Sequence, residues 1–176
     1  YSGDVNQSVR SGTYHDLVLS GATAARTKTA SGAITVNGNL SVGANNILSM
    51  GANALSGTIS NAVGIGIITT SNTSANPIPI GVIWTPAVQF NGGAAHAIPN
   101  GTYSNLLVGG TNDIKTANGN IVVAGVLDVT AGNTLAMGNK SLSGAFTNSG
   151  TGNISTTAAT AAIPSGKTWT QTINYA

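Results

Sequence analysis

The sequence predicts an all-β protein, a parallel β-helix (β-solenoid) of roughly eight coils built from two tandem repeats. Three observations lead to this prediction: a long internal repeat, apolar residues paired at positions i and i+2, and Gly- and Asn-rich turns between the pairs. Two tandem β-sandwich domains are the alternative, because an Ig-like number of short strands also fits the pattern.

The internal repeat contains one long block without a gap. Lys28–Gly57 reads KTASGAITVNGNLSVGANNILSMGANALSG and Lys115–Gly144 reads KTANGNIVVAGVLDVTAGNTLAMGNKSLSG, with 17 identical positions at an offset of 87. Around this block, a Gly-Thr-Tyr tripeptide recurs at an offset of 89 and a Trp-Thr pair at an offset of 85. The sequence therefore divides into copy one (residues 1–89), copy two (residues 90–174) and the start of a third repeat (residues 175–176), which we expect to form one continuous solenoid.

The strands are predicted from apolar residues two positions apart. Matched pairs occur in both copies: Ile34/Val36, Leu40/Val42 and Leu48/Met50 followed by Leu55, then Ile121/Val123, Leu127/Val129 and Leu135/Met137 followed by Leu142. A period of two indicates short strands that bury one face. Leu17, Leu40 and Val63 are evenly spaced, which suggests the length of one coil. Coils of roughly 20–23 residues, stacked about 4.8 Å apart, would give a rod about 40 Å long.

The composition excludes several functional classes. Charged residues make up 6% of the chain, and the six basic residues are scattered, which argues against nucleic-acid binding. The longest apolar run, Val63–Ile68, is too short to cross a bilayer, so we expect no membrane insertion. The first residues lack a signal-peptide pattern, so the chain is expected to be mature or a fragment. The absence of cysteine is compatible with an extracellular protein whose stability comes from packing.

The residues that usually carry chemistry form no recognisable site. None of the four acidic residues recurs at the equivalent position of the other copy. His15 and His96 stand alone, so we expect them at the surface or at coil edges and predict no metal. We predict no cofactor, no catalytic residue and no enzymatic activity. The aromatic residues do recur (Trp84/Trp169, Tyr14/Tyr103 and Tyr1/Phe90/Tyr175), which favours packing over sugar stacking.

Several segments resemble a known family of repeats. GTYHDLVLSG, GAITVNGNLSVG, ILSMGANALSG and FNGGAAHAIPNGTYSNL are similar to the Gly/Asn/Thr-rich repeats of large secreted adhesins and filamentous surface proteins of Bacteroidetes-type bacteria. The resemblance covers nearly the whole chain, although copy one lacks the Ile-Pro of the opening motif. It implies display at the cell surface, a solenoid-like fold and a role in attachment or in filament building.

The leading functional hypothesis is a structural subunit or segment of an extracellular filament or adhesin stalk. Tyr175-Ala176 aligns with Tyr1-Ser2, so we expect these four residues to make contacts between head-to-tail units. The units would be separate chains or neighbouring repeats of a longer chain, with a surface glycan as a further candidate partner. The alternative is an ice-binding or carbohydrate-binding solenoid, for which Thr69–Ser74 and Ser155–Thr160 supply threonines.

Overall fold

The computed structural model describes residues 1–159 and 162–176, and these form a β-solenoid. Every strand pair in the described residues is parallel, which excludes the antiparallel tandem sandwiches. The strands are β1 (Gln7–Val9), β2 (Gly12–Tyr14), β3 (Leu17–Leu19), β4 (Arg26–Ala30), β5 (Ile34–Val36), β6 (Asn39–Val42), β7 (Asn46–Ser49), β8 (Leu55–Ser56), β9 (Asn61–Val63), β10 (Ile67–Thr70), β11 (Ile83–Trp84), β12 (Ala87–Phe90), β13 (His96–Ile98), β14 (Gly101–Val108), β15 (Ile114–Ala117), β16 (Ile121–Val129), β17 (Thr134–Gly138), β18 (Leu142–Ser143), β19 (Thr147–Ser149), β20 (Asn153–Thr156) and β21 (Thr172–Tyr175).

The chain winds around three faces, which we number in the order in which the chain visits them. The first face carries β1, β4, β7, β10, β12, β19 and the C-terminal halves of β14 and β16. The second face carries β2, β5, β8, β13, β15, β17, β20 and β21. The third face carries β3, β6, β9, β11, β18 and the N-terminal halves of β14 and β16. The eight strands of the first face correspond to the predicted eight coils.

The core is a column of inward-facing apolar side chains inside the three faces. All the pairs predicted from the period of two are buried. One predicted position is wrong: Val63 pairs with Ser41 and is 42% exposed, whereas Ala62 lies buried beside Leu40. The coil that begins at Leu40 is therefore one position shorter than the even spacing predicted. Because strand side chains alternate, this difference turns Val63 outward.

The two sequence copies lie on different faces. Seven coils separate Gln7 from Asn148 on the first face, so an offset of 87 corresponds to four and one third coils. Lys28 lies on the first face and its equivalent Lys115 on the second. Likewise Leu40 lies on the third face and Leu127 on the first. Each copy is therefore rotated by one face relative to the copy before it.

The second face is interrupted once, between β8 and β13. Residues 71–82 cross it without a strand, and they contain Pro77 and Pro79. Proline has no N–H with which to extend a strand ladder, although the Pro77 carbonyl still accepts from Leu55 N–H at 3.2 Å. Ile78, between the two prolines, is fully buried and keeps the core continuous. In the part of the chain that the structure describes, no helix has the length and apolar character needed to span a membrane.

Candidate functional site

Two buried lysines are polar features of the interior that sequence reasoning missed. Lys28 is fully buried, and its Nζ donates to the Gly3 carbonyl at 2.9 Å, the Val5 carbonyl at 2.7 Å and Gln7 Oε1 at 2.7 Å. These bonds tie the arm before β1 to the next coil. The signal in the sequence was the recurrence of Lys in both copies, within a chain that has few charges.

Lys115 occupies the equivalent position in copy two with fewer partners. Its Nζ donates to the Gly92 carbonyl at 3.2 Å and to Asn133 Oδ1 at 3.1 Å. Gly92 is the equivalent of Gly3, so each lysine donates a hydrogen bond to the same position near the start of its copy. Burial lowers the pKa of Lys115, and the nearby Asp113 carboxylate opposes this shift. A structural role accounts for both ammonium groups.

His96 is buried, whereas we expected it at the surface or at a coil edge. It is 2% exposed, faces inward on β13 and lies in register with Lys115. Its Nδ1 lies 2.9 Å from the Asn72 carbonyl oxygen, and its Nε2 has no partner among the described residues. Strand β13 turns the side chain of residue 96 toward the core. A lone histidine in a sequence does not reveal which side of a strand it will face. His15 is exposed, as expected.

The acidic residues do not assemble into a site. Asp4 pairs with Arg26 at 3.0 Å and accepts a bond from Thr23 N–H at 3.1 Å. Hydrogen bonds from Thr23, followed by the Arg26 charge, lower the pKa of Asp4. Asp128 lies on β16 beside Ser149, and Asp113 lies just before β15. Within residues 1–159 and 162–176, no three Asp, Glu, His or Cys side chains are grouped so that they could hold a metal.

The recurring aromatic residues pack in the core where coils cover them on both sides. Trp84 is fully buried, with Ala62 and Tyr103 as its register neighbours. Its burial removes it from any sugar-stacking surface. Trp169, its equivalent, is half-buried and lies 5.9 Å from Phe146 between ring centroids. The Lys167 ammonium lies 4.2 Å from the centre of the Phe146 ring.

Among the described residues, threonines do not form the paired columns that an ice-binding face requires. Outward on the first face, Thr29, Ser49 and Thr69 are followed by Gln89 and then by Leu107. Thr70 faces inward and is fully buried, and its Oγ1 accepts from Asn72 N–H. In the second threonine-containing segment, Thr156 is also buried, and Thr160 lies outside the described residues.

A groove of about 530 Å³ with a mixed polar and apolar lining lies between the third and fourth coils on the third face. Its walls include Ile59, Val63, Pro79, Ile80 and Ile83, and none of its described lining residues is charged or aromatic. The Ile80 and Ile83 side chains are 58% and 70% exposed. Thr58, Ser60, Asn61 and Thr85 also line the groove, so its polar groups are neutral amides and hydroxyls.

The predicted contact residues lie at the two ends of the solenoid. Ser2 forms a parallel bridge with Ser20, and Ser20 N–H donates to the Tyr1 carbonyl at 3.0 Å. The Tyr1 hydroxyl lies 3.1 Å from that of Tyr14, whose pKa burial raises to about 12. These contacts lay Tyr1 and Ser2 along β3.

At the other end, β21 extends the second face in full register with β20. Ile173 and Tyr175 lie in the inward column, in register with the buried Ile154 and Thr156. Tyr175 is nevertheless 73% exposed, because no described strand lies on the outer side of β21. Ala176 N–H donates to the Thr156 carbonyl at 3.0 Å. At this C-terminal end of the solenoid, the side chains of Ile173 and Tyr175 therefore face inward without a further described strand to cover them.

Comparison with protein-family models, with curated proteins and with solved structures finds no significant match.

Proposed function

We propose that this chain is a structural, non-enzymatic subunit or segment of an extracellular filament or cell-surface adhesin stalk, in which units continue head to tail by strand stacking. The observation that carries this proposal is the uncovered outer edge of β21. Its backbone is set for a further parallel strand, and Ile173 and Tyr175 face a core column that the next coil would close. That coil can come from the same polypeptide or from another copy.

The energetic argument rests on the exposed edge of β21. A strand edge presents unpaired N–H and C=O groups to any matching strand. Covering Tyr175 and Ile173 would also bury apolar surface, which stabilises association by about 25 cal/mol for each Å² removed from water. Charged side chains that would oppose the approach are absent from Gln171–Ala176. Contacts of this head-to-tail kind do not close, so they generate fibres.

The chemistry of the described residues supports a structural role. Contacts between successive coils occupy the polar and aromatic groups of the interior. These groups are the two inward-facing lysines, the inward-facing His96 and the recurring aromatic residues at the junction of the copies. Low charge suits a rod whose outward positions stack on one another, because stacked like charges would repel. Surface location and attachment are proposed on this basis and on the resemblance of the repeats.

The proposal is tested by sedimentation velocity of the purified chain at rising concentration. We expect large, concentration-dependent species for the wild-type chain. Ile173→Asp places a charge in the inward column of β21, so this variant should remain monomeric. Thr172→Asp places the same charge on the outward side of the same strand and serves as the matched control, which should still assemble. A wild-type chain that remains monomeric at every concentration would overturn the proposal that separate chains assemble as subunits.

A further inference from the structure

The junction between copy one and copy two shows how one repeat docks on the next. There β11 and the first three residues of β12 end copy one, Phe90 begins copy two, and both strands pair with β14. Trp84 lies in register with Tyr103, Val88 with Leu106, and Phe90 with Val108. All six side chains are fully buried. The junction is thus a continuous, well-packed interface between two copies of the same motif.

Both halves of this interface recur at the ends of the described solenoid, where no described strand covers β21 and only Tyr1 and Ser2 lie along β3. At an offset of 85, Trp84 and β12 correspond to Trp169 and β21. At an offset of 89, the two halves of β14 correspond to β2 and β3. Trp169 and Tyr14 are only half-buried, and Tyr175 is mostly exposed, whereas their equivalents at the junction are fully buried.

We propose that a second copy of this chain docks its β2 and β3 against Trp169 and β21 in the register of the internal junction. Ile173 then pairs with Leu17, Asn174 with Val18 and Tyr175 with Leu19 of the second copy. Trp169 packs against Tyr14 of that copy. This inference rests on the proposed function, and it specifies which strands meet and in which register.

In the docking copy, Tyr1 and Ser2 already lie beside β3. In the proposed register, that position belongs to Tyr175 and Ala176 of the preceding copy. Within one chain, Ser20 N–H donates to the Tyr1 carbonyl at 3.0 Å, as Gly109 N–H donates to the Phe90 carbonyl at 2.9 Å. Tyr1 therefore covers Leu19 as Phe90 covers Val108. Docking replaces Tyr1 and Ser2 of the incoming copy by Tyr175 and Ala176 of the preceding one. Tyr1 and Ser2 thus act as a short internal competitor of assembly.

The register also fixes the symmetry of the fibre. Tyr1 lies on the third face, its equivalent Phe90 on the first and Tyr175 on the second. From Tyr1 to Tyr175 the chain therefore advances eight and two-thirds coils. Each docked copy is rotated by two thirds of a revolution and displaced by about 42 Å along the axis, using about 4.8 Å per coil. Three copies complete a threefold screw.

Engineered disulfides test the register directly, because the natural chain contains no cysteine. Val18 is 47% exposed and Asn174 is exposed, so substitution at both positions spares the core. In the proposed register Val18→Cys and Asn174→Cys become neighbours on adjacent parallel strands, about 5 Å apart between Cα atoms and within disulfide range. Within one chain these positions lie at opposite ends of the solenoid, so any disulfide joins two chains.

The double variant V18C/N174C should give a ladder of covalent multimers on a non-reducing gel. V18C/T172C is the matched control. It shifts one cysteine by two positions along the same strand, to about 8 Å, and should give no ladder. Equal ladders from both variants, or fibres without a V18C/N174C ladder, would overturn the register while leaving the proposed filament in place. If neither fibres nor a ladder form, the proposed assembly of separate chains is overturned as well.

Discussion

Lys28 and Lys115 occupy equivalent positions in the two sequence copies, yet they lie on adjacent faces of the solenoid. This relationship follows from four and one third coils per repeat. Any residue that recurs in both copies therefore lies on one face in copy one and on the next face in copy two. A third copy would present it on the remaining face, so the surface of a longer array repeats around the axis as well as along it.

Removing the two lysine ammonium groups should have unequal effects on stability. Lys28→Met leaves three acceptors at 2.7–2.9 Å without a donor, so we expect it to lower the free energy of unfolding by about 2–3 kcal/mol. Both substitutions relieve the cost of burying a charge, but Lys115→Met removes only two, longer bonds, so its effect should be smaller. Thermal unfolding followed by circular dichroism makes the comparison. A larger loss for Lys115→Met would contradict this account of the two sites.

Tyr103 should make the fold sensitive to alkaline pH. Its hydroxyl donates to the Pro99 carbonyl at 2.7 Å, and burial raises its pKa well above the ordinary value. A raised folded-state pKa adds stability that is complete below the unfolded pKa of about 10 and is lost as the pH rises through the folded value. Tyr103→Phe should therefore be less stable than wild type at neutral pH, with the difference shrinking above a pH of about 10. A constant difference across that range would refute the assignment.

Two turn glycines should tolerate substitution differently. Gly57 has φ of 107°, and a Cβ there would overlap the Val36 carbonyl. Gly51 has φ of 55°, and a Cβ there would meet open space. Gly57→Ala should cost more than about 2 kcal/mol, and the control Gly51→Ala only about 1 kcal/mol. Similar melting temperatures for the two variants would count against the tight packing of successive coils at this corner.

Trp169 should report assembly by fluorescence. Trp84 is already fully buried, so its emission should stay constant, whereas Trp169 is half-buried and would be covered by Tyr14 of a docking copy. We expect the emission maximum to shift to shorter wavelength as the protein concentration rises. The Trp169→Phe variant provides the control and should show no shift. Fibres that form without any shift in the wild-type chain would contradict the docking of Trp169.

The fold could be predicted from the sequence because its main signal is local. Pairs such as Ile34/Val36 repeat in both copies and predict short strands with one buried face, and the spacing of these pairs favours a solenoid over the sandwich alternative. Exact placement depends on the length of each coil, which is not constant: Val88 stacks on Leu106, whereas Leu17 stacks on the more distant Leu40. A difference of one position exchanged Val63 for Ala62 in the core.

The candidate site was harder to predict, because it depends on how coils stack. The equivalence of Tyr1, Phe90 and Tyr175 was visible in the sequence, but their distribution over three faces required the number of residues per coil. Burial of Lys28 and Lys115 was missed because lysine is rarely fully buried. Three of the five acceptors, the carbonyl groups of Gly3, Val5 and Gly92, come from the backbone of the preceding coil, which no side-chain pattern reveals.

Electron microscopy of the purified chain at high concentration tests the central claim most directly. Head-to-tail stacking predicts unbranched fibres with a threefold screw and an axial rise of about 42 Å per chain. Uniform single rods about 40 Å long at every concentration, with no end-to-end association, would contradict it.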